Sequence, residues 1–209
     1  MQSSGAPLYV ILVDHGSPNR FHMDKDGTGP EEYITSQELD QSLRILESSL
    51  GGAGRQDIFL VYGACYSGSF TPQISGQGRV VIASCGAEEV SYRGVESDQN
   101  GVRDGEFFLM EFFRNAGEGK SIKQSFELAC AKTADYTGTK SNGGLSRVPQ
   151  HPELDDNSDG VGTTGSLPSM FGQDGERVAV MDLGLGVENA GSLTWFAAQP
   201  PVYIPAVGG

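Results

Sequence analysis

Two runs of consecutive apolar residues dominate the first third of the chain, residues 8–13 (LYVILV) and the centre of 57–63 (DIFLVYG). Neither alternates with polar residues, the pattern of strands buried on both faces of a sheet. Between them Leu39, Leu43, Leu46 and Leu50 recur at helical spacing. Thr35 and Glu38 stand where a capping box satisfies the first free amides of that helix, and Gly51-Gly52 stops it. The Gly/Pro/Asp-rich stretch after the first strand, through residue 34, reads as loop. Strand, helix, strand is a βαβ unit, so the two strands should run parallel with a right-handed crossover. A third strand, 79–84 (RVVIAS), follows after only a loop.

Further along, 105–116 (GEFFLMEFFRNA) predicts a helix with Phe108 and Phe112 on one face, a stop near Gly117 and Asp104 as a candidate N-cap. Ser121 and Gln124 cap another helix, whose Ile122, Phe126, Ala129 and Cys130 line one side. Residues 136–176 are Gly, Ser, Thr and Asp with little periodicity, and 177–183 (RVAVMDL) reads as a last strand. The pattern is α/β: one domain over residues 1–183, then a tail, 184–209, whose LTWFA and VYIP segments suit an edge strand or the entry to a further domain.

Composition narrows the function classes. A net charge of −13 over 209 residues repels nucleic acid and anionic membranes. No apolar run approaches the roughly 18 residues of a membrane-spanning helix. The cysteines at 65, 85 and 130 form no CxxC pair, and three thiols cannot all pair within one chain. The opening MQSSGAPLYV has no basic start and no visible signal peptide, so the expectation is a cytosolic protein or a piece of a longer one.

The candidate chemistry sits at the strand ends. The first strand ends in Val13-Asp14-His15-Gly16 and the second in Gly63-Ala64-Cys65-Tyr66-Ser67-Gly68. Parallel neighbours put their carboxyl ends on one rim, where open α/β sheets collect ligands. A histidine and a cysteine 50 positions apart are thereby brought to one edge. A thiol becomes a useful nucleophile when a proton-transfer partner is near, and imidazole suits that task near neutral pH. The glycines permit close backbone approach, so the amides of Gly16 and Cys65 could face a developing oxyanion.

VDHGSP followed by ACYSGSF resembles the legumain-like, bacterial-type branch of the caspase-fold cysteine peptidases, with VVIASCGAEEVSY and HPELDDNSDGVG as weaker matches. The resemblance runs from about residue 8 to about 183. It implies a three-layer αβα sandwich with a mostly parallel sheet, lacking the usual strands before the histidine strand. It also implies a cysteine endopeptidase with Cys65 as nucleophile, His15 as general acid/base and the Gly16 and Cys65 amides as oxyanion donors. Ser84 and Cys85 would line the specificity pocket, with cleavage after asparagine or aspartate. The family often carries an acid two positions before the cysteine; this chain has Gly63.

Other expectations follow from single features. Asp155, Asn157 and Asp159 with Gly160 match the first half of a calcium loop, but Ser166 stands where the bidentate glutamate belongs. Calcium is thus a possible ligand, a solvated acidic loop the competing reading, and no cofactor is required. His22 and His151 read as loop histidines on the polar surface, and Cys130 as core. The partners expected are a protein or peptide substrate, self-processing at the Asn157–Ser158 bond, and a partner chain completing the sheet. The rival readings are a transamidase or ligase on the same scaffold, and a non-catalytic binding or adhesion module. An exported fragment would act outside the cytosol, in the periplasm or the extracellular space.

Overall fold

In the computed structural model the first half of the chain orders as β1 (Leu8–Val13), β2 (Gly16–Ser17), β3 (Arg20–Asp24), β4 (Glu32–Thr35), α1 (Ser36–Ser49) and β5 (Ile58–Gly63). A 3-10 turn (Ser67–Phe70), α2 (Thr71–Ile74), β6 (Arg79–Ala83), α3 (Phe107–Gly117) and α4 (Ile122–Gly138) follow. β7 (Glu153–Asp155), β8 (Thr163–Thr164) and a second 3-10 turn (Val178–Val180) complete the described chain. The structure describes residues 7–24, 31–52, 56–94, 105–138, 147–168 and 170–184. The candidate cap Asp104 and the LTWFA and VYIP segments lie outside the described residues.

β1, β5 and β6 pair in parallel, in the order the βαβ pattern requires, with Leu8 opposite Ile58 and Val13 opposite Gly63. Every residue of β5 is buried, and its side chains alternate between two cores. Phe59 and Val61 join Val80, Ile82, Phe108, Phe112, Ile122 and Phe126 under α3 and α4. Ile58, Leu60 and Tyr62 join Val81, Leu43 of α1, Phe70 and Ile74 on the opposite face. Helices thus cover both faces of the sheet, giving three layers. Each fully buried side chain of this size contributes about 1.5–3 kcal/mol.

α1 begins where expected: Thr35 Oγ1 accepts from Glu38 N at 3.2 Å, and Glu38 Oε2 accepts from Thr35 N at 2.9 Å. Gly51 and Gly52 adopt φ of 97° and 112° just beyond its end. Ser121 and Gln124 form the same reciprocal cap at the start of α4. Arg79, at the start of β6, ties these layers together. Its buried guanidinium donates to Asp40 at 2.8 Å and to both carboxylate oxygens of Glu47 at 2.7 and 2.9 Å, fastening α1 to the sheet.

Four expectations need correction. The sheet is mixed: β7 and β8 join antiparallel after β6, so only two of its four pairings are parallel. The stretch from 16 to 35 holds a three-stranded antiparallel sheet, β2-β3-β4, because local hairpin pairing orders it despite its glycines and prolines. The connection from β5 to β6 contains the 3-10 turn and the one-turn helix α2. Residues 177–183 form no strand, since β7 already holds the place beside β6. There Arg177 is pinned to the carbonyls of Arg79 and Asp156 and to the Asp57 carboxylate.

Candidate active site

The register of β1 on β5 carries Val13 and Gly63 to the same level of the sheet, and the chains then run on to His15 and Cys65. The contact between them is direct backbone packing. A Cβ on Gly16 would lie 2.3 Å from the Cys65 carbonyl oxygen and 3.0 Å from Ala64 Cβ, so only glycine allows this approach. The His15 amide is turned onto Asp14 Oδ1 at 2.7 Å, and the His15 carbonyl accepts from His22 N at 3.0 Å. One ladder-type bond thus joins His22 to His15 beyond the last pair of the antiparallel ladder. Gly16 opposite Phe21 occupies the non-bonded position, with its amide directed away from β3. Two further bonds fasten this small sheet to the cysteine loop: Asn19 N to Ser69 Oγ at 2.8 Å, and Tyr62 Oη to the Arg20 carbonyl at 3.3 Å.

The loop after Cys65 is held rather than merely turned. Tyr66 sits in the left-handed region at φ 61°, costly for a bulky residue, and such strain concentrates at functional sites. Its amide donates to the Glu89 carbonyl at 2.7 Å, Ser67 N to the Ala64 carbonyl at 3.2 Å, and Gly68 N to the Cys85 carbonyl at 2.9 Å. Of the three cysteines, all unpaired, only Cys65 reaches the surface. Its Sγ lies 3.8 Å from the Ser91 carbonyl, a long thiol contact. Burial pushes the Cys85 thiol up to about 11 and the Cys130 thiol up to about 12, so both stay protonated at neutral pH. Cys130 lies in the core that β5, β6, α3 and α4 share, as expected.

Ser84 and Cys85 are fully buried, and neither side chain offers surface to a substrate. They support the Cys65 loop from beneath. Cys85 Sγ contacts the Ala64 and Glu89 carbonyls at 3.3 Å each, and the Ser84 carbonyl accepts from Gln150 Nε2 at 2.7 Å. Gln150 also donates to Glu106 Oε1 at 2.9 Å, and the other Glu106 oxygen caps α3 through Leu109 N at 2.8 Å. Burial raises the Glu106 carboxyl to about 7. The place where a side chain at residue 63 would project is already filled, because a Cβ there would meet Leu109 Cδ1 at 2.3 Å and Glu106 Cβ at 3.7 Å. Sequence reasoning missed Glu106 and Gln150. A glutamate directly before FFLM was a legible cap signal, whereas Gln150 carried none.

Two histidines are better partnered than their loop setting suggests. His22 is buried in β3, between Ser17 Oγ at 3.0 Å and Glu31 Oε1 at 2.8 Å, which corrects its assignment to the surface. His151 is exposed but pairs with Glu89 at 2.5 Å. In the acidic loop the side-chain oxygens serve the backbone. Asp155 accepts from Ser158 N and Gly160 N at 2.9 and 3.0 Å, Asn157 Oδ1 from Asp159 N at 2.9 Å, and Asp159 from Val161 N at 2.8 Å. Among the described residues no group of three or more His, Cys, Asp or Glu side chains is arranged to hold a metal ion. Nor is any helix among them long and apolar enough to cross a membrane.

An α/β sheet with helices on both faces, presenting a histidine and a cysteine at the carboxyl ends of adjacent parallel strands, defines the class of cysteine-type hydrolases built on the caspase-like scaffold. The model of the Peptidase C13 family matches residues 4–152, most of the chain, and the chain belongs to that family of legumain-like cysteine endopeptidases. A peptide or protein substrate follows from that membership. No curated protein matches the chain.

Proposed function

We propose that this chain hydrolyses peptide bonds with Cys65 as nucleophile and His15 as general acid/base. The observation that supports it most is the packing of Gly16 against the Cys65 carbonyl, which sets the imidazole-bearing turn beside the thiol-bearing one. In this reading Cys65 Sγ attacks the scissile carbonyl carbon, and the amides of Gly16 and Cys65 receive the charge on its oxygen. His15 gives a proton to the departing amine, leaving an acyl-enzyme thioester. It then takes a proton from water as the hydroxide adds to the acyl carbon, and collapse of that adduct releases the acid and the Cys65 thiolate. Glu106, Gln150 and Leu109 shape the cleft floor, and the preference for asparagine or aspartate belongs to this proposal.

A peptidyl electrophile tests the reading directly. Cys65 is expected to be the one labelled site by peptide mass mapping, with Cys85 and Cys130 protected by burial. Cys65→Ala should abolish turnover, and His15→Ala should lower it by at least about a thousandfold through loss of acid–base transfer. An unlabelled Cys65 in folded protein, or full turnover by Cys65→Ala, overturns the proposal. Calcium at Asp155, Asn157 and Asp159 belongs to no step of this reaction; calorimetric titration of the folded chain with calcium reads it separately.

A further inference from the structure

One residue, His22, grips the turn that carries His15 and Gly16 at both ends. Its amide donates to the His15 carbonyl at 3.0 Å, and its Nε2 lies 3.0 Å from Ser17 Oγ. The His15 carbonyl and the Gly16 N–H belong to one trans peptide plane and point in opposite directions. Tying that carbonyl to β3 therefore aims the Gly16 N–H away from β3. β2 is only two residues long, and so short a ladder is marginal on its backbone bonds alone. The imidazole adds a lock: Ser17 pairs with Arg20, and His22 is its diagonal neighbour on the same face. Glu31 Oε1 stands 2.8 Å from the other ring nitrogen, Nδ1, outside hydrogen-bond geometry. A carboxylate there favours the proton on Nδ1, so that Nε2 accepts from the Ser17 hydroxyl.

His22 is 6% exposed, too deep to touch a peptide, so any effect on the reaction passes through its neighbours. Burying an imidazole costs free energy that a phenyl ring of similar shape would not, unless its nitrogens are bonded. We propose that His22 is a positioning residue for hydrolysis. Through the His15 carbonyl and the Ser17 hydroxyl it holds the Gly16 amide toward the oxygen that gains charge when Cys65 Sγ attacks. The other face of the turn is fixed by packing. Phe21, across the ladder from Gly16, lies edge-on to Tyr62 with ring centroids 5.6 Å apart, and Gly16 sits against the Cys65 carbonyl. What packing leaves free is rotation of the peptide plane between His15 and Gly16, and the two bonds from His22 remove it. The inference rests on the reading of Cys65 and His15 as the catalytic pair.

Peptide turnover, thiol alkylation and amide hydrogen exchange on the folded chain test this. His22→Phe keeps the ring shape and removes the bond to Ser17. It should lower kcat about ten- to a hundredfold with KM within about twofold, because the lost contact acts on the transition state. Ser17→Ala should lower kcat similarly, and the double variant no further than either alone. His22→Gln, whose side-chain amide reaches the place of Nε2, should restore most of the loss. Iodoacetamide needs no oxyanion donor and should alkylate Cys65 at the wild-type rate in every variant. Exchange of the residue 22 amide should rise at least about tenfold in His22→Phe and return toward the wild-type rate in His22→Gln. Full kcat in folded His22→Phe overturns the proposal. So does a loss that His22→Gln leaves unrestored, a parallel fall in Cys65 alkylation, or unchanged amide exchange. Ser17→Ala breaks the same bond from a half-buried position and decides by the same measures if His22→Phe does not fold. A wild-type chain without turnover, whose Cys65 also resists a peptidyl electrophile, refutes the peptidase reading instead, and the exchange rates alone then decide whether His22 holds the turn.

Discussion

An alanine at position 16 would put its methyl group 2.3 Å from the Cys65 carbonyl, so the two turns would have to part. Displacement of a positioned group by about 1 Å can cost about a hundredfold in rate. Gly16→Ala should therefore lower kcat/KM by at least about a hundredfold, while the urea midpoint moves little, because the strain is confined to the rim. Peptide turnover and urea unfolding of the same preparation separate the two effects. Glu106 gives a pH signature of its own. Its folded carboxyl lies at about 7, above its ordinary 4.5, so the folded state holds the proton more tightly than the unfolded chain does. The stability this contributes is complete below about pH 4.5 and is lost as pH rises through about 7, by up to about 3 kcal/mol. Glu106→Gln should flatten this slope in denaturant titrations between pH 4.5 and 7.5, and a slope identical to wild type would refute the assignment.

At the scale of elements, α1 is fastened to the sheet by Arg79, whose side chain is buried against Asp40 and Glu47. Removing one partner of a buried pair costs about 3–5 kcal/mol; without the guanidinium Glu47 loses both of these bonds, while Asp40 keeps Arg44 and Gln73. Arg79→Met should lower the free energy of unfolding by that order, and Asp40→Asn by less, since Glu47 still pairs with the guanidinium. Chemical denaturation of each variant checks the ranking. Elements legible in the sequence were those whose signals are local. The capping boxes of α1 and α4 and the continuous apolar runs of β1, β5 and β6 each point to one structure without reference to the rest. β7 and β8 were not legible because they are three and two residues long and exist only through pairing onto β6. The hairpins between 16 and 35 were hidden by turn-rich composition. His15, Gly16 and Cys65 could be placed from the βαβ rule alone. The buried hydrogen-bond chain behind the Cys65 loop joins Ser84, Glu106 and Gln150 from three separate segments, a convergence that no linear spacing encodes.

At the scale of the whole molecule, the two rims of the sheet have different neighbours. His15 and Cys65 lie beyond the carboxyl ends of β1 and β5. β7 runs antiparallel from that rim, and the acidic loop after it lines a hollow with Asp57 and Gly78, which precede β5 and β6. Ser158 Oγ donates there to the Gly76 carbonyl at 2.9 Å. The Asn157–Ser158 bond is thus separated from the thiol by the length of a strand, about 20 Å. In this fold that bond lies at the opposite rim of the sheet from the thiol of its own chain. Maturation at Asn157 is expected to be bimolecular, one copy acting as scissors and another as cloth, so its initial velocity should climb with the square of protein concentration. A time course of intact mass at serial dilutions would show this, and a half-life unaffected by dilution would mean that the loop leaves its rim before it is cut.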